Sequence, residues 1–188
     1  VELARALPGV AVAVARRRLE AARLLEARLR TPPGVFLLDD GFQHYALARD
    51  FDLVALDASS NPEALARFPR GPLREGLEAL RRAHAVVLTR CEQIEGGPEA
   101  ALALAGRLRQ RFPHLTIART QTELLGLASA EGALTEPREA LRGARVALFC
   151  ATGAPEAIRR ALERAGAAVA LFRPLPDHAA AGPEFLTE

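Results

Sequence analysis

The densest polar constellation in the sequence is Asp39-Asp40-Gly41-Phe42-Gln43-His44: two adjacent carboxylates, a glycine, an amide and an imidazole, directly after the apolar run Val35-Phe36-Leu37-Leu38. Paired carboxylates at a strand exit can hold Mg2+, directly or through water, while phosphate oxygens supply the other ligands; they can also orient a hydroxyl nucleophile. The structural alternative is a capping or turn aspartate with a solvated neighbour. Gln43 and His44 can donate to a phosphate or a sugar hydroxyl. For His44 alone, ordinary hydrogen-bonded structure is the competing role, and Tyr45 beside it reads as a packing residue.

Four further groups have chemical potential. Gly71-Pro72-Leu73-Arg74-Glu75 reads as a turn opening a helix, with Arg74 in a first turn where the helix dipole disfavours a cation. Such an arginine can meet a phosphate, assisted by Arg70 and the helix N-terminus, or pair with Glu78 at i,i+4 spacing. Arg81 and Arg82 further along read as solvated. Asp57 ends the run Phe51–Asp57 and either supplies a further acid or caps a turn through Ser59, Ser60 and Asn61. Thr89-Arg90 can touch a base or phosphate, or form a loop salt bridge. Asp177-His178 follows two prolines that stiffen the approach, and is either a general-base pair or a surface turn.

The elements that must position these groups alternate. Val10–Val14 reads as a strand, 15–30 as an amphipathic helix whose Ala22, Leu25 and Leu29 share a face, and Val35–Leu38 as a second, buried strand. Strands over 51–57 and 85–89 flank a helix at 77–83; a helix from Gly96-Gly97-Pro98 to about Arg111 precedes a strand at 115–119. Further on, strand 145–150, helix 156–165 and strand 168–172 form one βαβ unit. The turn Ala151-Thr152-Gly153-Ala154-Pro155 between its strand and helix has one glycine where a dinucleotide fingerprint needs three. The pattern predicts an α/β fold with a largely parallel sheet, its ligand groups gathered at the strand C-terminal ends.

Composition excludes several classes. All 25 basic residues are arginine, so the chain contains neither an intact G-x-x-x-x-G-K-[ST] loop nor a Schiff-base lysine. A formal charge of +2 gives no general case for nucleic acid, and any anion site must be local. Two cysteines, Cys91 and Cys150, are too few for a disulfide scaffold or a cysteine metal site. With no apolar run of spanning length and no signal-peptide pattern, the expectation is a cytoplasmic protein.

Taken together, these segments resemble the tetraacyldisaccharide 4'-kinase family of lipid A biosynthesis. The resemblance is carried by Asp39-Asp-Gly-Phe-Gln-His44, Gly71-Pro-Leu-Arg-Glu75, Val86-Val-Leu-Thr-Arg90, Phe149-Cys-Ala-Thr-Gly-Ala-Pro-Glu156 and Pro176-Asp-His178, in family order over nearly the whole chain. It implies a parallel-sheet P-loop kinase-like core, incomplete here, over 1–112, and a smaller C-terminal α/β lobe over 113–188. ATP and Mg2+ are the implied cofactors, Asp39 and Asp40 the implied metal ligands, and Gln43 and His44 the residues lining the nucleotide cleft. Asp39 and His178 are the implied catalytic residues, His178 resembling a histidine that assists a general-base aspartate.

The implied substrate is an acylated disaccharide phosphate, phosphorylated on its 4' hydroxyl, with peripheral inner-membrane contact from the cytoplasmic side for the complete protein and no nucleic acid. The family's glycine-rich loop and Gly-Asp-Glu segment are expected upstream of Val1. The chain alone is therefore expected to be inactive. The alternative is a non-catalytic α/β binding or scaffold module that retains the family shape.

Overall fold

The computed structural model describes residues 2–129, 132–152 and 155–176. By internal contacts the chain forms two compact units, one from 1–56, 66–87 and 108–118, the other from 57–65, 88–107 and 119–188.

A three-stranded sheet has the order β1 (Leu53–Asp57), β2 (Ala85–Thr89), β3 (Thr116–Arg119). Its central strand, Ala-Val-Val-Leu-Thr, buries the consecutive residues Ala85 and Val86 as well as Leu88, the mark of a strand covered on both faces. Thr116 N donates to His84 O at 3.1 Å and Thr120 N to Leu88 O at 2.8 Å. Both chains advance four residues between the two bonds, so β2 and β3 run parallel.

Of the helices, α1 (Glu2–Ala6) is a single short turn and α2 (Arg18–Arg28) buries Ala21 while half-burying Ala22 and Leu25. Helix α3 (Gly97–Arg111) buries Ala101, Leu104, Ala105 and Leu108, an i, i+3, i+4, i+7 stripe of alternating alanine and leucine pairs. It stops before Phe112-Pro113, since the residue preceding proline is driven out of the α region. The segment 77–82 forms a 3₁₀ rather than an α-helix.

Beyond β3, β4 (Gly126–Ala128) and β5 (Leu134–Pro137) form an antiparallel pair that the sequence pattern does not reveal. Strand β6 (Arg145–Cys150), helix α4 (Pro155–Arg164) and strand β7 (Ala168–Pro174) then form the expected βαβ unit. β6 and β7 pair in parallel from Arg145 opposite Ala168 to Cys150 opposite Pro174, with a register shift after Val146. The fold class is α/β with parallel strand pairing.

Two expected strands are absent among the described residues. Val10–Val14 and Val35–Leu38 carry no regular secondary structure, and Val14, Val35 and Leu37 are 86%, 75% and 90% exposed. An apolar β-branched run encodes a preference for a strand, whereas the strand itself exists only when a neighbour takes up its backbone hydrogen bonds. Neither run has such a neighbour among the described residues.

Candidate functional site

In the first unit, Leu38 leads into a tight turn. Asp40 has φ of 52°, a left-handed conformation that a short polar side chain tolerates. A Cβ on Gly41 would fall 2.8 Å from Leu38 Cβ, so the chain can fold back at this point only with glycine. His44 N then donates to Gly41 O at 2.9 Å and Tyr45 N to Gln43 O at 3.2 Å. The turn leaves both carboxylates exposed and Phe42, Gln43 and His44 half-buried.

Arg49 fixes the far side of this loop. Its Nη1 donates to His44 O at 2.5 Å and to Leu47 O at 3.1 Å, and its Nε donates to Asp52 Oδ1 at 2.7 Å. Both side chains of this ion pair are largely buried, 13% and 12% exposed.

A second loop, 66–76, closes on itself. Phe68 N donates to Leu73 O at 2.8 Å and Leu73 N to Ala66 O at 3.3 Å. Gly71 lies so close to the opposite backbone that a Cβ would stand 2.3 Å from Ala66 O. The loop delivers Arg74 to Asp40, Nη2 to Oδ2 at 3.0 Å. Glu75, next in sequence, accepts hydrogen bonds from Tyr45 Oη at 3.0 Å, from Arg82 Nη2 at 2.5 Å and from the Gln43 side chain. The Arg82 guanidinium also lies 4.0 Å from the Phe42 ring centroid and 5.0 Å from that of Tyr45.

The hydrogen bond from Arg82, with those from Gln43 and Tyr45, holds the Glu75 carboxyl below its ordinary range, against an opposing push from desolvation. Glu75 in turn raises Arg82. One charged pair thus fastens the Phe42-Gln43-His44-Tyr45 stretch to the Gly71-Pro-Leu-Arg-Glu75 stretch, while the Asp39 and Asp40 carboxylates stay exposed, Asp40 with its Oδ2 bonded to Arg74.

Several expectations change. Arg74 lies in a loop ahead of the 77–82 turn, so no helix dipole acts on it; its partner is Asp40, while Glu78 is taken by Arg81 at 2.8 Å and by Arg111. Arg82 is not a solvated residue: it is the centre of the network, and no pattern signal distinguishes it from exposed Arg81 beside it. Tyr45 contributes a hydrogen bond although the residue is 66% exposed.

In the second unit, Asp57 caps the turn that follows, accepting from Ser59 N at 3.0 Å and Ser59 Oγ at 2.7 Å, and it pairs with Arg90 at 2.8 Å. Arg90 also borders a cavity of about 460 Å³ shared with Gln93, Thr122 and Thr152. Asp177 and His178 lie outside the described residues.

Chemically, two exposed carboxylates on a braced turn suit Mg2+, which takes one or two carboxylates and completes its shell with water and phosphate. Among the described residues no group of three or more His, Cys, Asp or Glu side chains converges as a metal cage. No helix among them is long and apolar enough to cross a membrane.

Parallel strand pairing together with an acidic turn anchored by an arginine is the framework of an α/β protein, here without a glycine-lysine loop in its sequence. The comparisons narrow the class. The family model described as tetraacyldisaccharide-1-P 4'-kinase matches residues 1–187, and the chain belongs to that family. A tetraacyldisaccharide 4'-kinase from Anaeromyxobacter dehalogenans strain 2CP-1 is 45% identical over 179 residues, covering 94% of this chain and 45% of that protein. Enzymes of the same name from Geobacter metallireducens and Chlorobaculum parvum are 35% and 34% identical, covering 98% and 91% of this chain and 50% and 45% of their own lengths. The chain spans about half the length of these curated relatives. No solved structure matches it.

Proposed function

We propose that this chain is the acidic-loop portion of an ATP-dependent kinase that phosphorylates the 4' hydroxyl of a tetraacyl disaccharide 1-phosphate, and that it does not catalyse this transfer by itself. The observation that carries the reading is the bracing of Asp39-Asp40-Gly41-Phe42-Gln43-His44 by Arg74, Glu75 and Arg82, in a chain of this kinase family.

In this reading Asp39 and Asp40 hold Mg2+, which when bound neutralises charge on the phosphates and on the group in transfer. Arg74, bonded to Asp40 Oδ2, would hold that carboxylate in place for the ion. Gln43 and His44 line the nucleotide side of the loop, and Arg49 fixes the carbonyl of His44 and so the height of the turn. Asp39 also stands beside the reacting groups, and His178 assists the general base. Contact with the lipid is peripheral, at the cytoplasmic face of the inner membrane.

The test is a chimera that joins this chain to the part of the Anaeromyxobacter relative that it does not span. Transfer of labelled phosphate from ATP to tetraacyldisaccharide 1-phosphate by the chimera, and none by the 188-residue chain, is expected. A folded chimera without transfer, or a chain active alone, overturns the reading.

A further inference from the structure

Among the described residues, more than two thirds of the large apolar side chains exposed to solvent precede Asp57, within the first unit. Two of the segments that carry them are the runs 10–14 and 35–38, which take no part in any strand pairing there. Val10-Ala-Val-Ala-Val14 alternates like a strand with one buried face, and Val35-Phe-Leu-Leu38 is continuous like a strand covered on both faces. Neither run contains a proline or a charge, the devices that keep a free strand edge from pairing. Their composition suits burial, while Val14, Val35 and Leu37 stand mostly in solvent.

Apolar surface of this kind marks a face that another polypeptide covers, and a strand partner takes up backbone N–H and C=O groups together with side chains. Both runs lie inside the region matched by the family model. The Anaeromyxobacter dehalogenans relative matches 94% of this chain with 45% of its own length, so more than half of that protein remains to supply strands. A second copy of this chain is the poorer occupant: family proteins carry the matched region within a polypeptide that has its own remainder to cover it.

We propose that 10–14 and 35–38 form a docking surface for the part of the family polypeptide that this chain does not span, and that each run becomes a strand by pairing with a strand of that part. The inference rests on family membership and not on the kinase reading. It bears on the acidic turn through Leu38, the half-buried last residue of the second run, whose Cβ would stand 2.8 Å from a Cβ on Gly41. Docking at 35–38 holds the turn on its N-terminal side, while Arg49 holds it beyond, at the carbonyl of His44.

The experiment measures backbone hydrogen exchange in the 188-residue chain and in the chimera described above. Expected is fast exchange at 10–14 and 35–38 in the chain, slowed by at least about a hundredfold in the chimera, with the amides of β2 protected in both. Val14→Asp and Leu37→Asp remove no buried side chain from the free chain, so its urea midpoint is expected to stay unchanged, while each variant speeds exchange at its own run in the chimera by at least about tenfold. A chimera with β2 protected and both runs exchanging as in the free chain overturns the proposal, as do variants that leave the chimera's protection unchanged. Protection that appears in the free chain as its concentration rises also overturns it and assigns the surface to a second copy. A chimera too unfolded to protect even β2 counts equally against it, since a polypeptide that fits this surface would not unfold the unit bearing it. Exchange is read without substrate, so an inactive chimera with protected runs defeats the kinase reading alone, and an active chimera with unprotected runs defeats this inference alone.

Discussion

Arg82 and Glu75 lie seven residues apart and meet at 2.5 Å, and the same guanidinium covers the Phe42 ring at 4.0 Å. A single arginine thereby ties together two motifs more than thirty residues apart in sequence. Arg82 Nε is buried without a hydrogen-bond partner, so the pair is not arranged for maximal stability. Its geometry serves the position of the Phe42-to-Tyr45 stretch.

Replacing Arg82 with alanine is expected to cost about 1–2 kcal/mol, the sum of a partly screened ion pair and a cation–π contact. Arg82→Lys is expected to recover only part of this, because an ammonium restores the charge but not the planar fork. Urea denaturation of the three proteins decides it: an alanine variant as stable as the parent removes the structural role assigned to the network.

Arg49 and Arg74 provide a second comparison, since each pairs with an aspartate near the acidic loop but at different depth. The Arg49–Asp52 side chains are 13% and 12% exposed, those of Arg74 and Asp40 64% and 70%. Arg49→Ala leaves Asp52 and the His44 carbonyl without their donor in a poorly hydrated place and is expected to cost about 2–4 kcal/mol. Arg74→Ala is expected to cost less than about 0.5 kcal/mol. Equal urea midpoints for the two variants would contradict the assignment of Arg49 as the fixing residue.

The βαβ order, the central strand and the helix over Gly97–Arg111 were legible in the sequence because each is written in local periodicity: a continuous apolar run at 85–88 and an alanine-leucine stripe at 101–108. The Asp39-Asp40 turn was legible for the same reason, a change from apolar to acidic within one residue. Val10–Val14 and Val35–Leu38 misled because strand formation depends on a partner that local pattern does not specify. Arg82 was hidden because Arg81 and Arg82 are chemically identical in the sequence, and a 3₁₀ turn rather than an α-helix decides which one faces Glu75. The β4–β5 pair has strands of only three and four residues, too short for periodicity to register.

Stability is expected to fall in acid through Glu75 and Glu78, whose carboxyls are held below their ordinary range, by Arg82 first in one case and by Arg111 and then Arg81 in the other. A group depressed in the folded state contributes stability that is complete above its unfolded pKa and lost as pH falls through the folded value. The urea midpoint should therefore be level above about pH 5.5 and decline below about pH 5. Glu75→Gln is expected to flatten that decline, and Glu78→Gln less so, because the Glu78 side chain is 56% exposed and its pairs are screened. A decline unchanged in Glu75→Gln would place its origin elsewhere.

The last prediction separates chemistry from folding at the acidic turn. Asp39 and Asp40 are exposed, and Asp40 adopts φ of 52°, a conformation that asparagine accepts as readily as aspartate. Neither Asp39→Asn nor Asp40→Asn creates a cavity, strains the backbone or strands a buried partner, so melting temperature is expected to change by no more than about 2 °C. Each substitution removes a negative charge where the proposed function needs one to hold Mg2+ against the phosphates. In the chimera with the Anaeromyxobacter relative, turnover is expected to fall by at least about a hundredfold for each. Arg74 gives an internal control for electrostatics: Arg74→Ala frees the Asp40 carboxylate without removing it, so it should preserve turnover far better than Asp40→Asn under saturating substrate. Turnover that survives both asparagine variants rules out the metal role, and a turnover loss that tracks loss of the folded circular dichroism signal reassigns both carboxylates to structure.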